Sequence, residues 1–402
     1  MTITMDYGVI GFAMFLNVIC WLWSYKKWEW RGFDMSKAYI TMILFGFLHV
    51  LSLIWTVNMD ASLKTVSMKL SFILYPIMFS LMPKIKKEEF LFAVVAFIFA
   101  IIGVDIFVLI KSGFSYLNNF DSSIFFYHDL SGQVGLNAIY FSVINGVALL
   151  FLLFDVSPNH RYLKVIGVLF FSTMLILLFS KMVIGALLIL LIIYALIYGS
   201  EFIRKLKWNS PALILIVAIV LSFLWLGINS EIISGRVNEF RNSEVKTAWV
   251  ENDLRKLRVE GISIRVFQYR ALKEIIRDQP GKLVLGYGHN AHQNLLNDKY
   301  IKYHVYTGKN NDAGVMDLSF HNQFVFTFLS LGFIGLGVLI WLFVVWLKQS
   351  YLSHDLSMFF VALLFMFVFL TEMFLERQRG VMFFVVVLTV LIKRNANLYS
   401  RN

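Results

Sequence analysis

Long apolar runs, broken at short intervals by clusters of lysine and arginine, set the pattern of this chain. A run of about 20 apolar residues crosses a roughly 30 Å hydrocarbon layer as a helix, and helices and closed barrels alone satisfy their own polar groups there. The pattern predicts about eleven spans: Tyr7–Trp23, Ala38–Trp55, Leu63–Met82, Glu89–Ile110, Leu136–Phe154, Val165–Phe179, Met182–Tyr198, Ala212–Leu226, Phe320–Leu347, Met358–Phe374 and Val381–Ile392. One extended polar stretch, residues 229–318, interrupts them. The expected architecture is an all-α polytopic membrane protein in three parts: spans over residues 1–228, a partly helical loop domain over 229–318, and further spans with a short tail over 319–402.

Alternate junctions carry the basic clusters: Lys26, Lys27 and Arg31; Lys84, Lys86 and Lys87; Arg161 and Lys164; Arg204, Lys205 and Lys207; Lys393 and Arg394. Inward loops of membrane proteins concentrate Lys and Arg, so those faces are expected inside. The amino terminus and the long loop then fall outside and the carboxyl terminus inside. Long loops are exempt from the charge bias, so the loop's own basic residues do not contradict this placement. A mean hydropathy of +0.72, with 59% hydrophobic and 15% charged residues, agrees with lipid as the main solvent. The net charge of +11 would suit nucleic acid in a soluble protein; here the inward clusters account for it, and no nucleic-acid partner is expected. Cys20, the one cysteine, lies in the first apolar run, which excludes an intrachain disulfide or a cysteine metal site. No charged segment with a small-residue cleavage site precedes the first span, so no removable signal peptide is expected.

Charge outside the membrane is informative because orientation does not explain it. Residues Gly261 to Asp278 have helical periodicity, with Arg265, Tyr269, Leu272 and Ile276 on one largely apolar stripe and Val266, Arg270, Lys273 and Arg277 on another. The first stripe is expected to face inward, and an inward arginine needs an anion, either a substrate phosphate or a carboxylate of the loop. The second is expected to be solvated. His321 stands where the polar loop turns into an apolar helix. With Ser319 or Asp317 as the cap it falls in the first turn, where the helix dipole disfavours a second positive charge and leaves a neutral imidazole able to accept a proton. Lys181, in Phe179-Ser180-Lys181-Met182, and Lys69, at the outer end of the third span, break the charge bias and are candidate anion ligands; snorkelling to headgroups is the alternative. His128, in Phe126-Tyr127-His128-Asp129, suits stacking on a sugar or plain interface anchoring. Gly286-Tyr287-Gly288 lacks the rest of a phosphate fingerprint, and His289 with His292 lacks partners at zinc spacing. No metal site and no cofactor are expected, and a Walker motif is absent.

Taken together these features resemble the O-antigen ligase and polymerase superfamily of bacterial envelope glycosyltransferases. The resemblance rests on Ser180-Lys181 between two spans, Arg265 in a loop helix, Gly286-Tyr287-Gly288, His321-Asn322 opening a helix, and Gly332-Phe333-Ile334-Gly335 within it. The family usually carries arginine after that serine, where this chain has a lysine, a point charge in place of a planar fork. Members commonly show twelve spans with both termini inside. The resemblance implies a multi-pass enzyme of the bacterial inner (cytoplasmic) membrane with its active site facing the periplasm. It implies an undecaprenyl pyrophosphate-linked glycan as donor, a lipid A-core or other glycan as acceptor, and a metal-independent, inverting transfer. His321 would be the base, Arg265, Lys181 and Lys69 would hold the pyrophosphate, and Asn322 would contact substrate. A ligase is favoured over a polymerase extending the carrier-linked glycan, because the loop over 112–134 is short and nearly free of Lys and Arg. A transporter for a lipid-linked sugar is the reading from another class, set back by the lack of an evident repeat.

Overall fold

The structure, a computed structural model, describes residues 19, 36–56, 59–156, 161–205, 244–255, 257, 262–289, 291–308, 314–316 and 318–395. Its first helices are α1 (Lys37–Leu51), prolonged by a 3-10 turn over Ser52–Ile54, then α2 (Met59–Lys69), α3 (Ser71–Leu81) and α4 (Lys87–Asn119). There follow α5 (Tyr127–Gly132), α6 (Ala138–Phe154), α7 (Arg161–Leu178) and α8 (Lys181–Lys205). The long loop contributes α9 (Glu244–Val250), α10 (Ile262–Asp278) and α11 (Ala291–Lys302), and the chain continues as α12 (Gln323–Leu352), α13 (Leu356–Phe369) and α14 (Gln378–Arg394). No strand occurs among the described residues. By length and composition, 3 helices can cross a membrane: Lys37–Ile54, Lys87–Asn119 and Gln323–Leu352. Shorter apolar helices cover Ala138–Phe154, Tyr162–Leu178, Lys181–Ile197 and Leu356–Phe369. The expected spans Tyr7–Trp23 and Ala212–Leu226 lie outside the described residues, so the structure supports a helical membrane protein and not a particular number of spans.

One expected span is broken. Residues 63–82 were read as continuous, but α2 ends at Lys69 and α3 begins at Ser71. The first half carries Asp60, Lys64, Ser67 and Lys69, too polar to face lipid, whereas α3 is apolar around Pro76. The apolar content of the second half had masked the change.

The described residues form two compact units, one of residues 1–43, 71–222 and 341–402, the other of 44–70 and 223–340. In the first unit α6 is buried along almost its whole length, as a helix apolar on every side must be. Against it packs α4, with Phe90, Val94, Ile98, Ile101, Val104 and Val108 inward. The other side of α4 exposes Phe92, Phe99, Phe107 and Phe114, the side chains a lipid solvent accepts. Asp105 and Asn145 meet inside this unit, with the amide of Asn145 donating to the carboxyl at 3.3 Å. At the carboxyl end of α14, Arg394 donates to Asp155 at 2.5 Å and Asn395 to Asp355 at 2.7 Å.

In the second unit α10 buries Ile264, Phe267, Ala271 and Ile275 against Leu296, Tyr300 and Tyr303. This stripe, not the one through Arg265, is the inward face: Arg265 is half-buried at its edge and Tyr269 is 45% exposed. Phe267 and Ile275 carry more apolar area than Leu272 and Ile276 share with an arginine and a tyrosine, and the helix turns accordingly. Nor is the stripe through Arg270 freely solvated. Arg270 lies 4.2 Å over the Tyr303 ring and donates to the Glu251 carbonyl at 2.6 Å, tying α10 to the end of α9. Glu274 accepts from Tyr303 at 2.5 Å, Lys299 at 3.2 Å and Lys302 at 3.2 Å. Burial opposes its charge, yet those hydrogen bonds hold the carboxyl down at about 2.

Candidate functional site

The segment ahead of α12 is fastened from several sides. Gln268 of α10 donates to the Ser319 carbonyl at 2.9 Å and to the Tyr300 hydroxyl at 2.9 Å, and Tyr300 donates to the Leu318 carbonyl at 3.0 Å. Ser319 donates to Gln293 of α11 at 2.6 Å. That bond removes Ser319 as a helix cap, and Asp317 lies outside the described residues. The cap is Asn322, whose side-chain oxygen accepts from the N–H groups of Phe324 at 2.9 Å and Val325 at 3.1 Å. His321 therefore stands just before the helix rather than in its first turn, half-buried and at φ 46. Histidine is one of the few side chains with some tolerance for that backbone region.

The amide nitrogen of Asn322 donates to the hydroxyl of Tyr269 at 3.3 Å. Tyr269 follows Arg265 by four residues, so the two share one face of α10. Arg265, Tyr269, Asn322 and His321 are thus joined through one hydrogen bond and two chain relations. Arg265 makes no hydrogen bond or ion pair among the described residues, and none of their carboxylates accounts for its half-buried charge.

The remaining candidates are placed differently. Lys181 opens α8 in the other unit, with its ammonium 5.4 Å from the Phe179 ring centre and Ser180 buried behind it. His128 sits exposed on α5, its ring 4.0 Å from that of Tyr127. Lys69 closes α2 and is fully buried, so it does not snorkel. Among the described residues no group of three or more His, Cys, Asp or Glu could hold a metal ion.

His49 was not foreseen. Its Nδ1 lies 2.8 Å from Nε2 of His289, the rings stack with centres 4.8 Å apart, and both are buried. Only one proton fits between the two nitrogens. The His289 carbonyl accepts from Ser62 at 3.3 Å and Thr56 at 3.4 Å. The signal was an ionisable residue within the apolar run Ala38–Trp55. Burial, with Lys69 and His292 adding to it, pushes His289 down to about 3, and burial pushes His292 down to about 4. Below the ordinary histidine value of 6.5 the unfolded chain binds protons that the folded one refuses. Stability therefore falls as pH drops from about 6.5 toward 5, by about 1.4 kcal/mol per pH unit for each of the two groups. Unfolding midpoints of the full chain in detergent should track this, and His289→Asn should flatten the slope. An unchanged slope would show that His289 titrates normally in the folded protein.

The interlock of the two glycine motifs also emerged only from the structure. Gly286 and Gly288 adopt φ 77 and φ 83, and the turn they frame pairs with a break in α12 at Gly332. Tyr287 N–H donates to the Leu329 carbonyl at 2.7 Å and Gly288 N–H to that of Ser330 at 3.1 Å. In return Phe333 N–H donates to the Leu283 carbonyl at 2.8 Å and Ile334 N–H to that of Val284 at 3.4 Å.

A search of curated proteins returned no match. Residues 166–340, from α7 through the loop helices to the middle of α12, match the family described as O-antigen ligase, a stretch that contains Lys181, Arg265, both glycine motifs and His321. With its apolar helices and this match over less than half of its length, the chain is similar to the O-antigen ligase family, whose members point to glycosyl transfer.

Proposed function

We propose that this protein transfers an O-antigen-type glycan from undecaprenyl pyrophosphate to a lipid A-core acceptor at the periplasmic face of the bacterial inner membrane. The observation that carries the reading is the Tyr269–Asn322 bond, which ties the helix bearing Arg265, half-buried and without an ion pair among the described residues, to the residue after His321. His321 takes the proton of the acceptor hydroxyl as its oxygen attacks the anomeric carbon. The bond from that carbon to the diphosphate breaks on the opposite face, the electron pair leaves with the diphosphate, and the centre inverts. The leaving group gains one negative charge, which Arg265 stabilises, supplying the charge that a divalent metal supplies elsewhere, and Lys181 is kept as a candidate anion ligand. The amide of Asn322 caps α12 and donates to Tyr269, so it helps to position His321, and it is kept as a substrate contact. His128 is kept as a sugar-stacking candidate.

Deleting the gene and running envelope lipopolysaccharide on a gel tests the reaction. Rough bands with accumulated carrier-linked polymer are expected; a single-repeat ladder would indicate a polymerase instead, and intact banding would dismiss both. Arg265→Lys keeps the charge and loses the fork. A charge-assisted hydrogen bond contributes about 1.5–3 kcal/mol, so transfer should fall roughly 10- to 100-fold. Unchanged kinetics would make Arg265 structural.

A further inference from the structure

We propose that the turn Leu283–Leu285, together with Phe333 and Ile334 just past the break in α12, forms an apolar collar immersed in the acyl chains of the bilayer, with the loop unit resting on that leaflet. Three observations lead there. Past the break at Gly332, residues 333–352 alone make a helix of about 30 Å, the thickness of the hydrocarbon layer, so the part of α12 ahead of the break is in excess of what a span needs. The residues before Gly332 supply that excess: Phe326, Leu329 and Leu331 are buried, and Val325 and Phe328 pack into the core of the loop unit with Tyr287 and Tyr300. A segment sheathed in protein needs no lipid. Immediately past Gly332 come two exposed side chains, Phe333 at 59% and Ile334 at 42%.

The turn beside them is exposed in the same way, Val284 by 56% and Leu285 by 47%. Its backbone cannot drift from that level, because the Leu283 and Val284 carbonyls accept from Phe333 and Ile334. Four large apolar side chains bare to the surroundings, fixed to the flank of a helix of spanning length, fit hydrocarbon and not water. The turn also meets the condition for irregular backbone in a bilayer, since its polar groups are taken up by the broken helix it pairs with. Lys282, next to the turn in sequence, is exposed, a basic side chain of the kind that meets headgroup phosphates at a bilayer surface. The membrane boundary of this helix accordingly moves from Phe320 to Gly332, leaving His321 and Asn322 in the loop unit outside the hydrocarbon. The collar does not depend on the reaction proposed above. It would hold the loop unit at the surface where a lipid-linked donor presents its headgroup.

Spin labels test this on the full chain with Cys20 replaced by Ala, reconstituted into phosphatidylethanolamine and phosphatidylglycerol vesicles. Labels are placed singly through Val284→Cys, Leu285→Cys and Phe333→Cys, with Arg277→Cys as the aqueous reference. Collision with dissolved oxygen relative to a water-soluble nickel chelate should rise severalfold at the three collar positions over the reference. Ratios equal to that at position 277 would place the turn in water and overturn the proposal. Shielding from both probes would also overturn it, because the side chains would then be covered by protein. All three positions are exposed, so a variant that fails to reconstitute leaves two independent readings.

Discussion

His321→Ala should abolish glycan transfer while leaving the purified protein folded and able to bind its lipid-linked donor. A positioned general base contributes about a hundredfold to ten-thousandfold. The variant needs a control for the backbone, because His321 sits at φ 46 and alanine tolerates that region poorly. His321→Asn supplies it, since asparagine accepts such a φ and cannot serve as the base. Both variants should lose activity to a similar degree, and added imidazole should restore part of the rate to the alanine variant alone. If either variant transfers glycan at the parental rate, His321 is not the base. Loss with His321→Ala and full activity with His321→Asn would mean that the ring only holds the turn ahead of α12.

Periodicity carried the fold where one solvent dominated. The expected spans Glu89–Ile110 and Leu136–Phe154 fall on the helices α4 and α6. It failed where two demands met on one helix. In α10 an arginine-tyrosine row and an adjacent phenylalanine-alanine-isoleucine row lie one residue apart, and only the partners Tyr300 and Tyr303 decide which is inward. The cap of α12 failed for a related reason. Ser319 is as good a cap as Asn322 in isolation, but Gln293, distant in sequence, claims its hydroxyl. Local chemistry could identify Arg265, Asn322 and His321 as candidates without showing that Tyr269 joins them. The His49–His289 pair depends on a contact spanning 240 residues, and no local rule reaches that far.

Gly332→Ala should destabilise the protein by about 3 kcal/mol or more, whereas Gly337→Ala, one helical turn and a half further on, should be neutral or slightly stabilising. At Gly332 the backbone has φ 68 and ψ −164, a region open essentially to glycine alone, and an alanine there costs about 1–3 kcal/mol in strain. A Cβ would also lie 2.1 Å from the Val284 carbonyl oxygen and 2.3 Å from its carbon. Those atoms cannot step aside cheaply, because Val284 and Leu283 accept the N–H groups that the break in α12 sets free. Displacing them adds the overpacking cost, about 1–3 kcal/mol, and exposes backbone polar groups beside lipid. Around Gly337 nothing lies within 4 Å of an added Cβ, and in a regular helix alanine is favoured over glycine by about 1 kcal/mol. Unfolding midpoints of the two variants in the same detergent separate the cases. Equal midpoints would mean that the turn at Gly286–Gly288 does not lock onto α12. A large loss confined to Gly332→Ala means that the two glycine motifs, 46 residues apart in the chain, are halves of one joint, in which the loop satisfies a broken membrane helix and the helix holds the loop.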